Sequence, residues 1–220
     1  MKKIKALLKL DFQLLAPYWK WWLMFIGFSL AIALLNQSGF FFIISLMIFA
    51  GTVMAFPYES TEKSNLGILY ATLPTNRKSM VFARYVMVLI VFVISYAVAI
   101  GAGIIIDLAF HQTLDGRMIL LATALAFAMY TISVGFQTPF LYRFGYQKGR
   151  IFMWIPIILV NIVLMLPAFA QMANLNRSLN VMATFGNHQT LTNIISFAVG
   201  VVAIIASYIA SHIIYLRKNI

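Results

Sequence analysis

The sequence has no cysteine, five acidic residues and six prolines in 220 positions. Without cysteine neither a disulfide nor a thiolate metal site can form, and the redox compartment cannot be read from cysteine usage. The shortage of charge says more. Charged residues make up 10% of the chain, hydrophobic ones 63%, and the mean hydropathy is +0.93. That leaves too little polar surface to coat a soluble globule, so the composition is that of an integral membrane protein. Spans of about 20 residues each consume most of 220, leaving no room for a soluble catalytic domain. The phosphate-cradling pattern G-x-x-x-x-G-K-[ST] is also missing, so nucleotide hydrolysis would have to come from a partner. His111, His188 and His212 have no paired spacing and no partnership with Glu59 or Glu62, which argues against an intramembrane metalloprotease. No catalytic residue, metal set or bound cofactor is expected.

What the chain does have is a succession of apolar segments bounded by basic residues. Residues 1–16 read as an amphipathic interfacial helix, with Lys2, Lys5, Lys9 and Gln13 on one face and Ile4, Leu7, Leu8, Phe12 and Leu15 on the other. Lys9, Asp11 and Gln13 interrupt any signal-peptide core. Pro17 and the cluster Tyr18, Trp19, Trp21, Trp22 mark an interface. Six spans then follow at about 18–35, 40–56, 79–106, 118–140, 151–170 and 191–216, within one transmembrane domain of residues 1–220. Turns are expected at 36–39 and around Asp107, His111, Asp115 and Arg117, with a basic loop at 141–150 and a polar connection at 171–190. That last connection has enough apolar residues for short helices that partly re-enter the bilayer, ended by Gly186-Asn187.

The net charge of +11 would suit nucleic acid, but the basic residues flank the spans instead of forming a stripe, so no nucleic-acid partner is expected. Fourteen of the sixteen Lys and Arg fall on one side of the six-span topology, leaving Arg117 and Arg177 on the other. The positive-inside rule puts both termini and the segment between the second and third spans in the cytoplasm.

That segment, 57–78, is the longest polar break. At 100° per residue Glu59, Glu62, Leu66, Leu69, Tyr70 and Leu73 share an arc, with Ser60 or Thr61 as helix cap and Pro74 as terminator. Arg77, Lys78 and Arg84 open the next helix. The spacing fits either a helix lying on the membrane surface or a docking element. Phe56-x-x-Glu59-x-x-x-Lys63, then Leu73-Pro74-x-x-Arg77-Lys78, then Ala83-Arg84-Tyr85 resembles the stretch between the second and third spans of small ABC-2 type permeases. The topology extends that likeness to the whole chain, which is similar to the type V exporter-like permeases of bacterial peptide exporters, including those for phenol-soluble modulins.

The resemblance implies an all-α permease subunit in a bacterial cell membrane. In this reading a cytoplasmic coupling helix meets a separate ABC ATPase, which binds the ATP and Mg²⁺, and the permease pairs as a homodimer or heterodimer. Glu59, Glu62, Leu66, Leu69, Tyr70, Leu73, Pro74 and Arg77 would carry the ATPase contact. The substrate class implied is amphipathic or hydrophobic peptides or similar lipophilic compounds. The reading from another class is a non-transport membrane protein, such as a bacteriocin-immunity or sensor-associated subunit, which predicts no ATPase.

Some polar groups sit where lipid would punish them. Asn161, between Pro156 and Pro167, and also Ser133 and Gln137, read either as hydrogen-bonding glue between helices or as part of a substrate path. Met165, Met172 and Met182 read as helix packing or as an adaptable apolar surface. Asp11 projects into the apolar arc of the first helix, where a lone carboxylate is costly. Either headgroup water reaches it or a cation is brought to it, with Arg84 the first candidate and Arg143 the second.

Overall fold

The computed structural model describes residues 2–64, 77–112, 115–172 and 189–217, and these are helical apart from short turns. Helix α1 is Lys2–Leu15, followed by a 3-10 turn, Ala16–Tyr18, with Pro17 in its first positions. There the missing N–H of proline costs nothing. Then come α2 (Trp19–Asn36), α3 (Gly39–Val53), α4 (Phe56–Lys63), α5 (Arg77–Ala109), α6 (Gly116–Met172) and α7 (Gln189–Arg217). Five helical stretches among the described residues are long and apolar enough to cross a membrane: Ala6–Asn36, Gly39–Lys63, Ser79–Ala109, Gly116–Ile155 and Gln189–Tyr215. The segment expected as a fifth span, 151–170, lies in the second arm of α6.

The helices pack around α3. Its sequence, GFFFIISLMIFAGTV, is apolar on every side, the pattern of a helix enclosed by protein. Phe42, Leu46, Met47 and Val53 are at most 2% exposed. The outward residues of α2, α5 and α7, among them Leu35, Val93, Ile105, Ile194 and Val202, are open, as lipid-facing surface must be. Small residues let backbones approach, the usual device where helices meet in lipid. Gly39 lies against Gly103 of α5, and Gly51 against Ser133 of α6. Stacked rings of Phe25 and Phe49, 4.9 Å apart, join α2 to α3, and α7 packs mainly along α6.

Some buried hydroxyls tie one helix to another. The Tyr130 hydroxyl of α6 donates to the Val88 carbonyl of α5 at 2.7 Å. The Tyr85 hydroxyl lies 2.6 Å from Ser207 Oγ and 3.0 Å from Ser211 Oγ of α7.

The helix of the second span, α3, is followed after Val53 by Met54 and Ala55, where the chain turns directly into α4. Three local expectations change. Helix α4 starts at Phe56, so Ser60 and Thr61 are inside it and cap nothing. Pro57 is compatible with a first helical turn, and the two hydroxyls bond elsewhere: Thr61 to the Pro57 carbonyl at 2.6 Å, Ser60 to the Leu14 carbonyl at 3.2 Å. Asp107 is not in a turn but in the last turns of α5, where its carboxylate accepts the Gly39 N–H at 2.7 Å and caps α3 across the helix pair. The loop expected at 141–150 shrinks to one residue: α6 is helical throughout except at Gly145, with φ 75° and ψ 179°. That backbone region is essentially open only to glycine, so one residue suffices to redirect the chain.

Candidate functional site at the junction around helix α4

Helix α4 is eight residues long and touches three other parts of the molecule. Toward the N-terminal segment, Phe56 stacks on Tyr18 with ring centres 4.5 Å apart, and Ser60 Oγ is 3.3 Å from the Tyr18 hydroxyl. Toward α5, the guanidinium of Arg84 sits 4.3 Å over the Tyr58 ring, a cation–π contact. Toward α6, Tyr58 meets Tyr142 edge-on at 5.2 Å, and Ala55 packs with Leu141 and Met153 from the two sides of the Gly145 break.

The same guanidinium reaches α1. Arg84 Nη2 donates to Asp11 Oδ1 at 2.8 Å, with both side chains largely enclosed, 11% and 6% exposed. Leu7, Asp11 and Leu15 are successive i, i+4 positions and all three are buried, so the carboxylate rides the face of α1 that packs inward. Of the two cations expected for Asp11, the structure brings in Arg84. Arg143, the other, lies over the Phe144 ring at 5.2 Å. Asp11, Arg84, Tyr58 and Tyr142 thereby join α1, α5, α4 and α6, and Tyr215 of α7 extends the ring contacts, 5.3 Å from Tyr142.

The two carboxylates of α4 are engaged within the chain. Glu59 pairs with Lys63 at 2.5 Å, one turn on. Glu62 Oε2 accepts the N–H groups of Tyr146 at 2.6 Å and Gln147 at 3.2 Å. Leu66, Leu69, Tyr70, Leu73 and Pro74 lie outside the described residues, as does the side chain of Arg77.

Gln137 and Ser133 are buried between α6 and α3. Gln137 Nε2 donates to the Gly51 carbonyl at 2.5 Å, and Ser133 Cβ fills the space a side chain at Gly51 would take. Both positions are helix contacts within one chain. Asn161 is in the second arm of α6, its side chain outside the described residues, and the connection at 173–188 lies outside them altogether. Among the described residues no three His, Asp or Glu side chains gather as a metal site would require.

Two features escaped sequence reasoning. The Glu62 contact spans 84 residues and the Asp107 contact 68, and a polar residue near a helix end reads as solvated until its neighbour is known. The signal available was a glycine in a basic segment (Gly145) and one beginning a span (Gly39), each of which admits a backbone amide to a distant carboxylate.

No curated protein and no solved structure matches the chain. The family model described as ABC-2 family transporter protein matches residues 6–216. That match takes in every described helix except the first residues of α1 and the last of α7. The chain belongs to the ABC-2 transporter family, as a multi-pass membrane subunit that is not itself the catalyst.

Proposed function

We propose that this chain is the permease subunit of an ATP-driven exporter in a bacterial cytoplasmic membrane, with six spans and both termini inside. It pairs with itself or a similar permease and with two ATPase subunits that bind ATP and Mg²⁺, and it moves amphipathic or hydrophobic peptides outward. The observation that carries this reading is the position of α4. It follows the most enclosed of the described helices, carries Lys63, lies under Arg84, and is bonded through Glu62 to the segment whose sequence holds Arg143, Lys148 and Arg150. Basic flanks mark the cytoplasmic side, where an ATPase would be. Residues 57–78 are then the coupling segment, in which Leu66, Leu69, Tyr70 and Leu73 make the apolar contact, Pro74 and Arg77 set the exit into α5, and Glu59 lies at the near edge; Glu62, expected in the same contact, has its carboxylate engaged by the Tyr146 and Gln147 amides and is assigned no part in ATPase binding.

The test is purification in mild detergent from cells that also express the candidate ATPase, followed by hydrolysis assays with and without the permease. A stable complex whose Mg-ATP hydrolysis responds to an added amphipathic helical peptide is expected. Leu69→Asp should weaken the complex by about thirtyfold, corresponding to a hot-spot loss of about 2 kcal/mol, while membrane insertion stays normal. A permease that purifies alone, with hydrolysis indifferent to it, would leave the immunity or sensor reading standing.

A further inference from the structure

We propose that Glu62 is a positioning residue that clamps the elbow of α6, so that displacement of α4 is passed directly to the second arm of that helix. The inference rests on the exporter reading above for its functional half and on geometry for the rest. After Gly145 the chain restarts as a helix, and a helix start leaves N–H groups with no partner inside the helix. Tyr146 and Gln147 carry two of these, and a single carboxylate oxygen of Glu62 accepts from both. A carboxylate there also meets the positive end of the helix dipole.

The cap is unusual in its origin. A helix start is ordinarily capped by the residue just before it, but that residue here is a glycine with φ 75° and no side chain. The missing side chain gives the carboxylate room: a Cβ on Gly145 would lie 3.3 Å from Glu62 Oε2, a tight contact, and 3.5 Å from Oε1. The cap is therefore supplied in trans by α4. Because Tyr58 of α4 meets Tyr142 edge-on at 5.2 Å and Ala55, just before α4, clusters with Leu141 and Met153, the elbow is held at several points. Arg84 and Tyr58 join α4 to α5, whereas the Glu62 bonds reach the backbone of the second arm of α6 at its first residues, just before the segment expected to be the fifth span.

Hydrogen exchange on the chain in lipid nanodiscs tests the clamp, and peptide transport per ATP hydrolysed by the reconstituted complex tests its use. In Glu62→Ala, exchange at the amides of 146 and 147 should quicken by roughly tenfold, as expected for loss of a charge-assisted bond. ATPase binding should remain, and transport per ATP should fall by a similar factor. Glu62→Gln keeps an acceptor oxygen and should restore part of both. Asp115→Asn is the matched control, since Asp115 Oδ1 caps the Arg117 N–H at 2.9 Å at the other end of the same helix. It should leave transport per ATP unchanged.

Unchanged exchange in Glu62→Ala overturns the clamp. Faster exchange with unchanged transport per ATP overturns its role in coupling, and so does loss of the ATPase from the variant complex, which would make Glu62 a docking residue. A wild-type chain that binds no ATPase overturns the exporter reading and the functional half with it, while the exchange result still decides the clamp.

Discussion

Replacing Asp11 by arginine is expected to destabilise the assembled chain by about 3–5 kcal/mol, the cost of leaving one member of an enclosed ion pair without its partner. Arg84 would then face a second cation in a space where both native side chains are nearly shut off from solvent. Its guanidinium is always charged, so it cannot relieve the conflict by losing a proton. Arg84→Asp should do comparable damage for the mirror reason, and it also removes the cation over Tyr58. The double exchange restores an opposite-charge pair and should recover part of the loss. Recovery will be incomplete, because aspartate at 84 puts no cation over the Tyr58 ring. Thermal stability in detergent, read by size-exclusion chromatography after heating, gives all four corners of the cycle. Damage that simply adds would mean that the two side chains act independently. A surface ion pair would contribute at most about 1 kcal/mol, so the size of the single effects also reports whether the pair is enclosed.

Gly39→Ala is the other substitution with a large expected effect. An added Cβ would stand 2.1 Å from the Gly103 carbonyl oxygen and 2.9 Å from Asp107 Oδ2. Backbone cannot swing aside as a flexible side chain can, so α3 would have to withdraw from α5. That movement would also break the 2.7 Å bond from the Gly39 N–H to Asp107. The expected loss is about 3 kcal/mol, the upper end of overpacking costs, and a drop in the yield of monodisperse protein should accompany it. Gly27→Ala is the control. Nothing lies within 4 Å of its added Cβ, and it sits mid-helix in α2, where alanine is favoured by about 0.5–1 kcal/mol. Equal melting temperatures for the two variants would show that α3 and α5 do not approach as closely as described.

The parts legible beforehand are those governed by local sequence. Aromatic clustering at Tyr18 to Trp22 falls where α2 begins, and Asn36 to Gly39 located the turn after it, where Gln37 takes a left-handed conformation. The misfit of Asp11 was visible because helical periodicity alone sets it among Leu7, Leu8 and Leu15. Naming Arg84 as a candidate partner used only its place at the foot of the third span and the need of a guanidinium there for an anion.

The parts that were not legible depend on contacts between distant segments. Arg143, Lys148 and Arg150 made 141–150 read as a loop, because charge in an apolar chain ordinarily marks solvent. A helix outside the bilayer tolerates those residues equally well, and only the backbone at Gly145 distinguishes the two. Ser60 and Thr61 read as caps because Pro57 precedes them, yet proline suits the first helical turn as well as the residue before it. The course of α4 was settled instead by Phe56 stacking on Tyr18 and by the chain turning tightly after Val53.

By itself the sequence determined an all-helical membrane protein with several apolar helices and the odd carboxylate on α1, because hydropathy and periodicity are properties of a segment and need no neighbour. Only the tertiary structure decided that α3 is the enclosed helix, that Asp107 caps it, and that Glu62 caps the elbow of α6. The spans are alike in composition, and in lipid the apolar side chains do not choose between a protein neighbour and an acyl chain. The choice falls to close backbone approaches at Gly39 and Gly51 and to a few polar bonds, each linking residues far apart in the chain.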